Sequence, residues 1–155
     1  MNIGLIKSIH ILIVEDNIAD VRMVQEMLKK GKICVKLQHV SDGIEAMEYL
    51  QKEGKFKNVP TPDLILLDLG LPKKDGREVL EDIKKDENLK NIPIIIMTIS
   101  KDQEDIYRSY NLRVNAYIVK HVELGQFIYA ITSIENFWLS IIKLPPDTDN
   151  IGSIK

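Results

Sequence analysis

The chain has 155 residues, a formal net charge of −2 and 45% apolar residues, which fit one domain with a sizeable core. Because the charge is nearly neutral, we expect no broad basic surface and therefore neither a nucleic-acid nor a membrane partner. No apolar run approaches the roughly 20 residues that cross a bilayer, and the run near the N-terminus is too short for a signal peptide. The lone Cys34 lies in an apolar–polar run, where we expect the buried, reduced thiol of a cytoplasmic protein.

Five runs rich in Ile, Leu and Val predict β-strands, and three of them are nearly continuously apolar, as in strands covered on both faces. The predicted strands are residues 9–14, 35–40, 64–68, 92–98 and 116–120. After each strand, apolar residues follow helical spacing. The predicted helical stripes are Ile18, Val21, Val24 and Leu28, then Ile44, Met47 and Leu50, then Val79, Leu80 and Ile83, then Ile106, Tyr107 and Tyr110, and finally Leu124, Phe127, Ile131, Ile134 and Trp138.

Five strands alternating with five helices predict a (βα)₅ chain. Parallel neighbours need crossover connections, so we expect a parallel sheet with helices on both faces. Residues 1–8 form a lead-in before the first strand, and residues 143–155 are turn and polar residues without a period. We therefore expect one domain over residues 9–142 and a short C-terminal tail, with no second domain.

Ligands of such sheets bind at the carboxyl ends of the strands, near the point where the strand order switches. If the order is 2-1-3-4-5, five polar residues meet there, namely Glu15, Asp16, Asp68, Thr98 and Lys120. Clustered carboxylates repel one another and raise one another's pKa unless a cation intervenes. Oxygen ligands with room for water suit Mg²⁺, so the sequence predicts a magnesium site beside a lysine.

This ordered set resembles the response-regulator receiver domains of two-component signalling, over roughly residues 9–142. The resemblance is carried by VEDN with Glu15 and Asp16, LLDLGLPKKDG with Asp68, MTIS with Thr98, and NAYIVK with Tyr117 and Lys120. It implies a flavodoxin-like, doubly wound parallel sheet with strand order 2-1-3-4-5. It also implies that Asp68 accepts a phosphoryl group from the phosphohistidine of a sensor histidine kinase.

The metal ligands that the resemblance implies are oxygen atoms. Asp16, the Asp68 side chain and the backbone carbonyl of Gly70 would hold Mg²⁺ or Mn²⁺, and Glu15 would act mainly through a metal-bound water. The acidic pair also has a simpler explanation, because Glu15 and Asp16 could cap the first helix and favour its dipole.

The resemblance assigns the remaining site residues to catalysis and switching. Thr98 would bond a phosphoryl oxygen and Lys120 would pair with the acyl phosphate. Tyr117 would be the aromatic switch that turns inward when Thr98 moves, although an aromatic residue in a strand is also ordinary core packing. The chain departs from the family pattern at two positions, with His121 where proline is usual and Ile99 where a small residue is usual. A non-proline cis bond is costly, so the Lys120–His121 bond is either trans or strained.

These residues favour a stand-alone cytoplasmic response regulator that signals through protein–protein contacts with an unknown downstream protein. We expect no enzymatic activity beyond self-phosphorylation and slow autodephosphorylation. Two alternatives remain, a degenerate receiver that serves as a binding or dimerisation module and a metal-dependent phosphatase of the haloacid-dehalogenase type. The phosphatase is disfavoured because that class needs a second Asp two positions after the first, where this chain has Gly70.

The last predicted helix carries more apolar residues than one buried stripe requires, which predicts a homodimer. The alternative is that the C-terminal tail folds back over this surplus. The long loop before the third strand and the Phe- and Trp-containing last helix also resemble the small regulators that partner phytochrome-type kinases.

Overall fold

The computed structural model describes residues 8–30 and 34–120, together with Gln126. Apart from Gln126, these residues lie in one compact unit within residues 1–122. The strands are β1 (Ile9–Val14), β2 (Val35–Val40), β3 (Leu64–Asp68), β4 (Ile94–Thr98) and β5 (Ala116–Val119). The helices are α1 (Ile18–Lys30), α2 (Gly43–Leu50), α3 (Gly76–Lys85) and α4 (Lys101–Ser109), with a 3₁₀ turn at Gly54–Phe56.

All five strands are parallel and form one sheet in the order β2-β1-β3-β4-β5. The predicted flavodoxin-like fold and its strand order are therefore confirmed. The predicted fifth helix, apart from Gln126, and the tail at residues 143–155 lie outside the described residues, as does the homodimer prediction, which rests on that helix.

The strand bounds follow the apolar runs closely, with one difference at β4. We predicted a strand over residues 92–98, whereas β4 begins at Ile94. Pro93 has no amide hydrogen to donate, so regular pairing starts after it. Its carbonyl oxygen still accepts a hydrogen bond from the Ile65 amide at 3.0 Å.

Burial differs between the centre and the edge of the sheet. The first four residues of β3 and all five residues of β4 are buried, as is most of β1, whereas β2 alternates between partly buried and exposed positions before its last residue, Val40. This pattern matches strands covered on both faces in the centre and an edge strand at β2. The central strands thus provide a rigid base whose carboxyl ends project the polar residues.

The prediction of a buried thiol at Cys34 was wrong. The side chain is exposed, and its Sγ lies 3.2 Å from Oγ of Ser8. Cys34 directly precedes β2, the strand at the edge of the described sheet, where most side chains are only partly buried or exposed. No helix within the described parts of the chain has the length and apolar character needed to cross a bilayer.

Candidate functional site

The acidic residues predicted to converge do so at the carboxyl edge of the sheet. Glu15 and Asp16 directly follow β1, and Asp68 is the last residue of β3, the strand paired with β1. Each of the three side chains offers a carboxylate oxygen, and these oxygens lie within 4.8 Å of one another. Glu15 is buried, Asp68 is partly buried and Asp16 is exposed, so the cluster runs from the protein interior to the solvent.

Lys120, which follows β5, lies at the centre of a buried ion cluster. Its Nζ is 2.7 Å from Oε1 of Glu15, 3.1 Å from Oδ2 of Asp68 and 3.2 Å from Oδ2 of Asp20. Only 7% of the Lys120 side chain is exposed and none of the Glu15 side chain is. An ammonium has three N–H donors, so one donor is available for each of the three carboxylates.

Asp20 is the residue of this cluster that we did not predict from the sequence. An acidic residue in the first turn of a helix has a sufficient explanation in the helix dipole, so its position in the sequence does not by itself indicate a role. A signal was nevertheless present, because Asp20 lies four residues before Val24 and therefore on the helix face that the apolar stripe buries. The structure accordingly leaves Asp20 only 5% exposed.

The burial of the cluster changes the proton affinity of its members. Burial raises the pKa of the Glu15 carboxyl to about 7, and the charge on Asp68 adds to the rise, although Lys120 opposes it. Burial alone would lower the pKa of Lys120, but the contacts with Glu15 and Asp68 outweigh it and hold that pKa above its usual value. The ammonium is therefore charged throughout the neutral pH range.

Glu15 is held through its side chain and through its backbone carbonyl group. Its Oε2 accepts the Asn17 amide hydrogen at 3.1 Å, and Nε2 of His39 lies 2.7 Å from the Glu15 backbone carbonyl oxygen. Oε1 accepts no well-aligned hydrogen bond from the described residues, although Lys120 is within ion-pair distance. A buried oxygen of this kind, beside two further carboxylates, fits a hard divalent cation or its bound water.

Asp68 is held by its own loop. Its Oδ1 accepts the backbone N–H of Gly70 at 2.9 Å, while Oδ2 faces Lys120. An added Cβ at Gly70 would meet only Oδ1 of Asp68, at 3.7 Å, so position 70 has room for a side chain. Gly70, the predicted carbonyl ligand, therefore lies directly beside the carboxylate.

The loop between β3 and α3 packs against its own backbone at Gly76. An added Cβ at Gly76 would lie 2.5 Å from Cα of Leu69 and 2.6 Å from the carbonyl oxygen of Asp68, closer than real Cβ atoms approach. Asp75 caps the helix that follows, in a capping box with Glu78. Because position 76 is glycine, the start of α3 can pack directly against the backbone of Asp68 and Leu69.

Thr98 and Tyr117 lie toward α4. Thr98 is fully buried, and its hydroxyl donates to the carbonyl oxygen of Ser100 at 3.2 Å and lies 3.4 Å from that of Ile118. Tyr117 is partly buried, its hydroxyl donates to the carbonyl oxygen of Tyr107 at 3.4 Å, and the Arg108 guanidinium lies 4.5 Å from its ring centre. Tyr117 thus packs against the core and touches α4 at the same time.

Of the two departures from the family pattern, the structure describes Ile99 but not His121. Ile99 has 67% of its surface exposed beside the buried Thr98. His121, and with it the Lys120–His121 bond, lies outside the described residues.

An open parallel sheet with an acidic cluster and a buried lysine at its carboxyl edge is the arrangement that the resemblance to receiver domains implies. Residues 11–132 match the family described as response regulator receiver domain. The chain therefore belongs to this family of two-component signalling proteins.

One similar protein and two solved structures place the chain among relatives of the phytochrome response regulators. Response regulator Rcp1 from Synechocystis sp. is 48% identical over 135 residues, which cover 87% of this chain and 92% of that protein. The crystal structure of the phosphorylated cyanobacterial phytochrome response regulator RcpA is 49% identical, with a TM-score of 0.71 and coverage of 87% and 96%. The crystal structure of the Mn²⁺-bound form of Rcp1 is 48% identical, with a TM-score of 0.69 and coverage of 88% and 98%.

Proposed function

We propose that this chain is a response regulator whose Asp68 accepts a phosphoryl group from a sensor histidine kinase in a reaction that requires Mg²⁺ or Mn²⁺. The observation that carries the proposal is the position of the Asp68 carboxylate, which lies 3.1 Å from the buried Lys120 ammonium and within 4.8 Å of carboxylate oxygens of the acidic pair. A carboxylate in this position has a cation beside it and belongs to a group that could hold a divalent cation.

The metal ligands would be the carboxylates of Asp16 and Asp68 with the Gly70 carbonyl, and Glu15 would act through a metal-bound water. When bound, the divalent cation neutralises charge on the oxygens of the transferring phosphoryl group. The Mn²⁺-bound form of Rcp1 supports this assignment, because that protein is nearly half identical to this chain. The three carboxylate oxygens of Glu15, Asp16 and Asp68, which lie within 4.8 Å of one another, support divalent-metal binding as well.

In the transfer step, a carboxylate oxygen of Asp68 would attack the phosphorus of the donor's phosphohistidine. The new P–O bond forms as the P–N bond breaks, and the imidazole leaves and takes up a proton. Lys120 already lies 3.1 Å from Oδ2 of Asp68, so little movement would bring its charge onto a phosphoryl oxygen. The catalytic set would be Asp68, Thr98 and Lys120.

The readout would run through Thr98 and Tyr117. Phosphorylation replaces one carboxylate charge by about −1.5 to −2 and adds acceptor oxygens. Thr98 would turn its hydroxyl toward a phosphoryl oxygen, and Tyr117 would occupy the space that this movement opens. Such a local charge change biases a two-state element, which is how receivers convert chemistry into a changed surface.

The partners follow from the family and its relatives. Because the similar proteins include phytochrome response regulators, we propose a histidine kinase of phytochrome type as the phosphodonor. The output would be a contact with a downstream protein, and the reaction would take place in the cytoplasm.

Intact-protein mass spectrometry tests the proposal. Incubation with Mg²⁺ and acetyl phosphate should add one phosphoryl group per chain, and chelation of the metal should prevent the addition. Asp68→Asn should abolish the adduct while the protein keeps its fold. Asp63→Asn is the matched control, because Asp63 precedes the same strand at its other end and accepts the His10 amide hydrogen at 2.9 Å.

Three results would contradict the proposal. Equal phosphorylation of Asp68→Asn would remove Asp68 from its role. No adduct on the wild-type protein with any phosphodonor would leave a degenerate receiver that acts as a binding module. Continuous consumption of acetyl phosphate without a stable adduct would instead indicate a metal-dependent phosphatase.

A further inference from the structure

Asp20 is a buried carboxylate at the site that the proposed metal and acceptor roles do not use. It lies in the first turn of α1, where Asn17 caps the helix through a hydrogen bond from the Ala19 amide to Oδ1 of Asn17 at 2.9 Å. Helix capping and the helix dipole explain an acidic residue in this turn, but they do not explain its burial. Its Oδ2 lies 3.2 Å from Nζ of Lys120, and both side chains are only 7% exposed.

We propose that Asp20 is a positioning residue that keeps Lys120 at the site while the other two carboxylates change partners. This inference rests on the proposed function, since it concerns the phosphorylation of Asp68. In this role Asp20 acts through the lysine, which it contacts at 3.2 Å.

The three carboxylates around Lys120 differ in their proposed roles. Glu15 and Asp68 belong to the acidic group that could hold a metal ion, whereas Asp20 is not among the described residues of that group. On phosphorylation one Asp68 oxygen would become part of an acyl phosphate, and with a metal ion bound Glu15 would hold a metal-bound water. The contact between Lys120 and Asp20 is the one of the three that neither event needs to break.

A fixed anchor matters because a lysine side chain is long and flexible. Ordering it costs rotamer freedom, and an ammonium has no planar geometry of its own to restrict its position. With the Asp20 carboxylate in place, Lys120 stays within reach of the transferring phosphoryl group when Glu15 and Asp68 turn away. Misplacement of a charged group by about 1 Å can reduce a rate on the order of 100-fold.

The test combines phosphorylation rates with a double-mutant cycle. Asp20→Asn keeps the shape of the side chain and removes its charge. At saturating Mg²⁺ and acetyl phosphate, we expect the phosphorylation rate constant to fall about 10-fold to 100-fold. On a Lys120→Met background, Asp20→Asn should cause no further loss, because the residue acts through the lysine.

Two controls separate positioning from a loss of stability. Val24→Ala removes buried apolar atoms from the same helix without touching Lys120, and its rate constant should equal that of the wild type. A Mn²⁺ titration followed by electron paramagnetic resonance should still give one saturable site in Asp20→Asn, which shows that the acidic cluster survives. If Asp20→Asn does not fold, Asp20→Glu, which keeps the charge and displaces it by one methylene, should give the same loss of rate.

The outcomes distinguish this inference from the proposed function. An unphosphorylated wild type would refute the proposed function and this inference with it. A wild type that is phosphorylated at the same rate as Asp20→Asn would refute the positioning role alone. Equal rate losses from Asp20→Asn in the presence and absence of Lys120 would likewise refute it, since the residue would then act independently of the lysine.

Discussion

Replacement of the Lys120 ammonium by an apolar side chain of similar length should destabilise the protein strongly. In the wild type, three carboxylates surround Nζ at 2.7, 3.1 and 3.2 Å, and the lysine side chain is 7% exposed. Lys120→Met keeps most of the packing volume but leaves these carboxylates without their cation. The substitution therefore isolates the contribution of the charge.

The magnitude follows from the burial of the cluster. Removal of one partner from a buried ion pair costs about 3–5 kcal/mol, whereas an exposed pair contributes about 0.2–1 kcal/mol. The three contacts do not add, because an uncompensated carboxylate can take up water or a proton. We expect a loss of about 3–5 kcal/mol in the free energy of unfolding, which is a large part of the roughly 5–15 kcal/mol typical of a domain. For a domain of this size the midpoint of thermal unfolding should fall by roughly 6–20 °C.

A divalent cation should restore part of this loss. A ligand that binds only the folded state at 100 times its dissociation constant adds about 2.7 kcal/mol. In the variant the acidic cluster no longer contains a positive charge that repels the metal ion. Mg²⁺ should therefore stabilise Lys120→Met at least as much as it stabilises the wild type.

Urea unfolding followed by circular dichroism, with and without Mg²⁺, measures both effects. The matched control is Lys101→Met, because Lys101 also faces two carboxylates, at 3.3 Å in Glu104 and 3.5 Å in Asp105, but is 69% exposed. Its loss should stay within about 1 kcal/mol, with no dependence on Mg²⁺. If Lys120→Met is no less stable than Lys101→Met, the buried cluster does not stabilise the fold and the reasoning fails.

Two further predictions concern the glycines of the loop after β3. Gly76→Ala should lower the free energy of unfolding by about 1–3 kcal/mol or more, because its Cβ would lie 2.5 Å from Cα of Leu69. Gly70→Ala is the control and should be tolerated. Equal stability of the two variants in urea unfolding would contradict the crowded geometry at Gly76. Gly70→Asn should fold normally and shorten the lifetime of the phosphorylated form, because the wild type has no side chain there to orient an attacking water. Loss of the adduct over time, followed by mass spectrometry, measures this, and an unchanged lifetime would mean that position 70 does not control water access.

The lifetime prediction has a second candidate position, and the structure argues against using it. Ser100 is also short and lies two residues after Thr98, so Ser100→Glu is an equivalent substitution from the sequence alone. In the structure, however, Oγ of Ser100 accepts the Gln103 amide hydrogen at 3.1 Å and caps α4. Its replacement would change helix stability by about 1 kcal/mol as well as the cleft, so Gly70 is the cleaner position.

The sheet was predictable from the sequence because its central strands are nearly continuous apolar runs. The run that forms β3 is continuously apolar up to Asp68, as expected for a strand that is covered on both faces. The strand order, which the resemblance to receiver domains implies, then predicts that Glu15, Asp16 and Asp68 meet at one edge. Both steps concern the backbone and need no knowledge of side-chain placement.

The residues that the sequence did not reveal depend on side-chain placement. Asp20 has an ordinary explanation as a helix-start acid, and only its contact with Lys120 distinguishes it. Cys34 lies in an apolar–polar run, which is typical of a half-buried strand, but the residue precedes the edge strand β2 and its side chain is exposed. The contact between Asp20 and Lys120 joins residues that lie far apart in the sequence, so no local pattern encodes it.

On the proposed function, the Thr98 hydroxyl links the chemistry at Asp68 to the rest of the domain. In the structure it faces two backbone carbonyl oxygens, that of Ser100 at the start of α4 and that of Ile118 in β5. A phosphoryl oxygen is a stronger, charged acceptor, so it would draw the hydroxyl away from both carbonyl groups. The loss of these bonds would loosen the start of α4 and the strand that carries Tyr117 in the same event. One proton donor would thereby couple a charge change at Asp68 to both elements that contact the aromatic ring, which explains why a small buried hydroxyl suffices as the sensor.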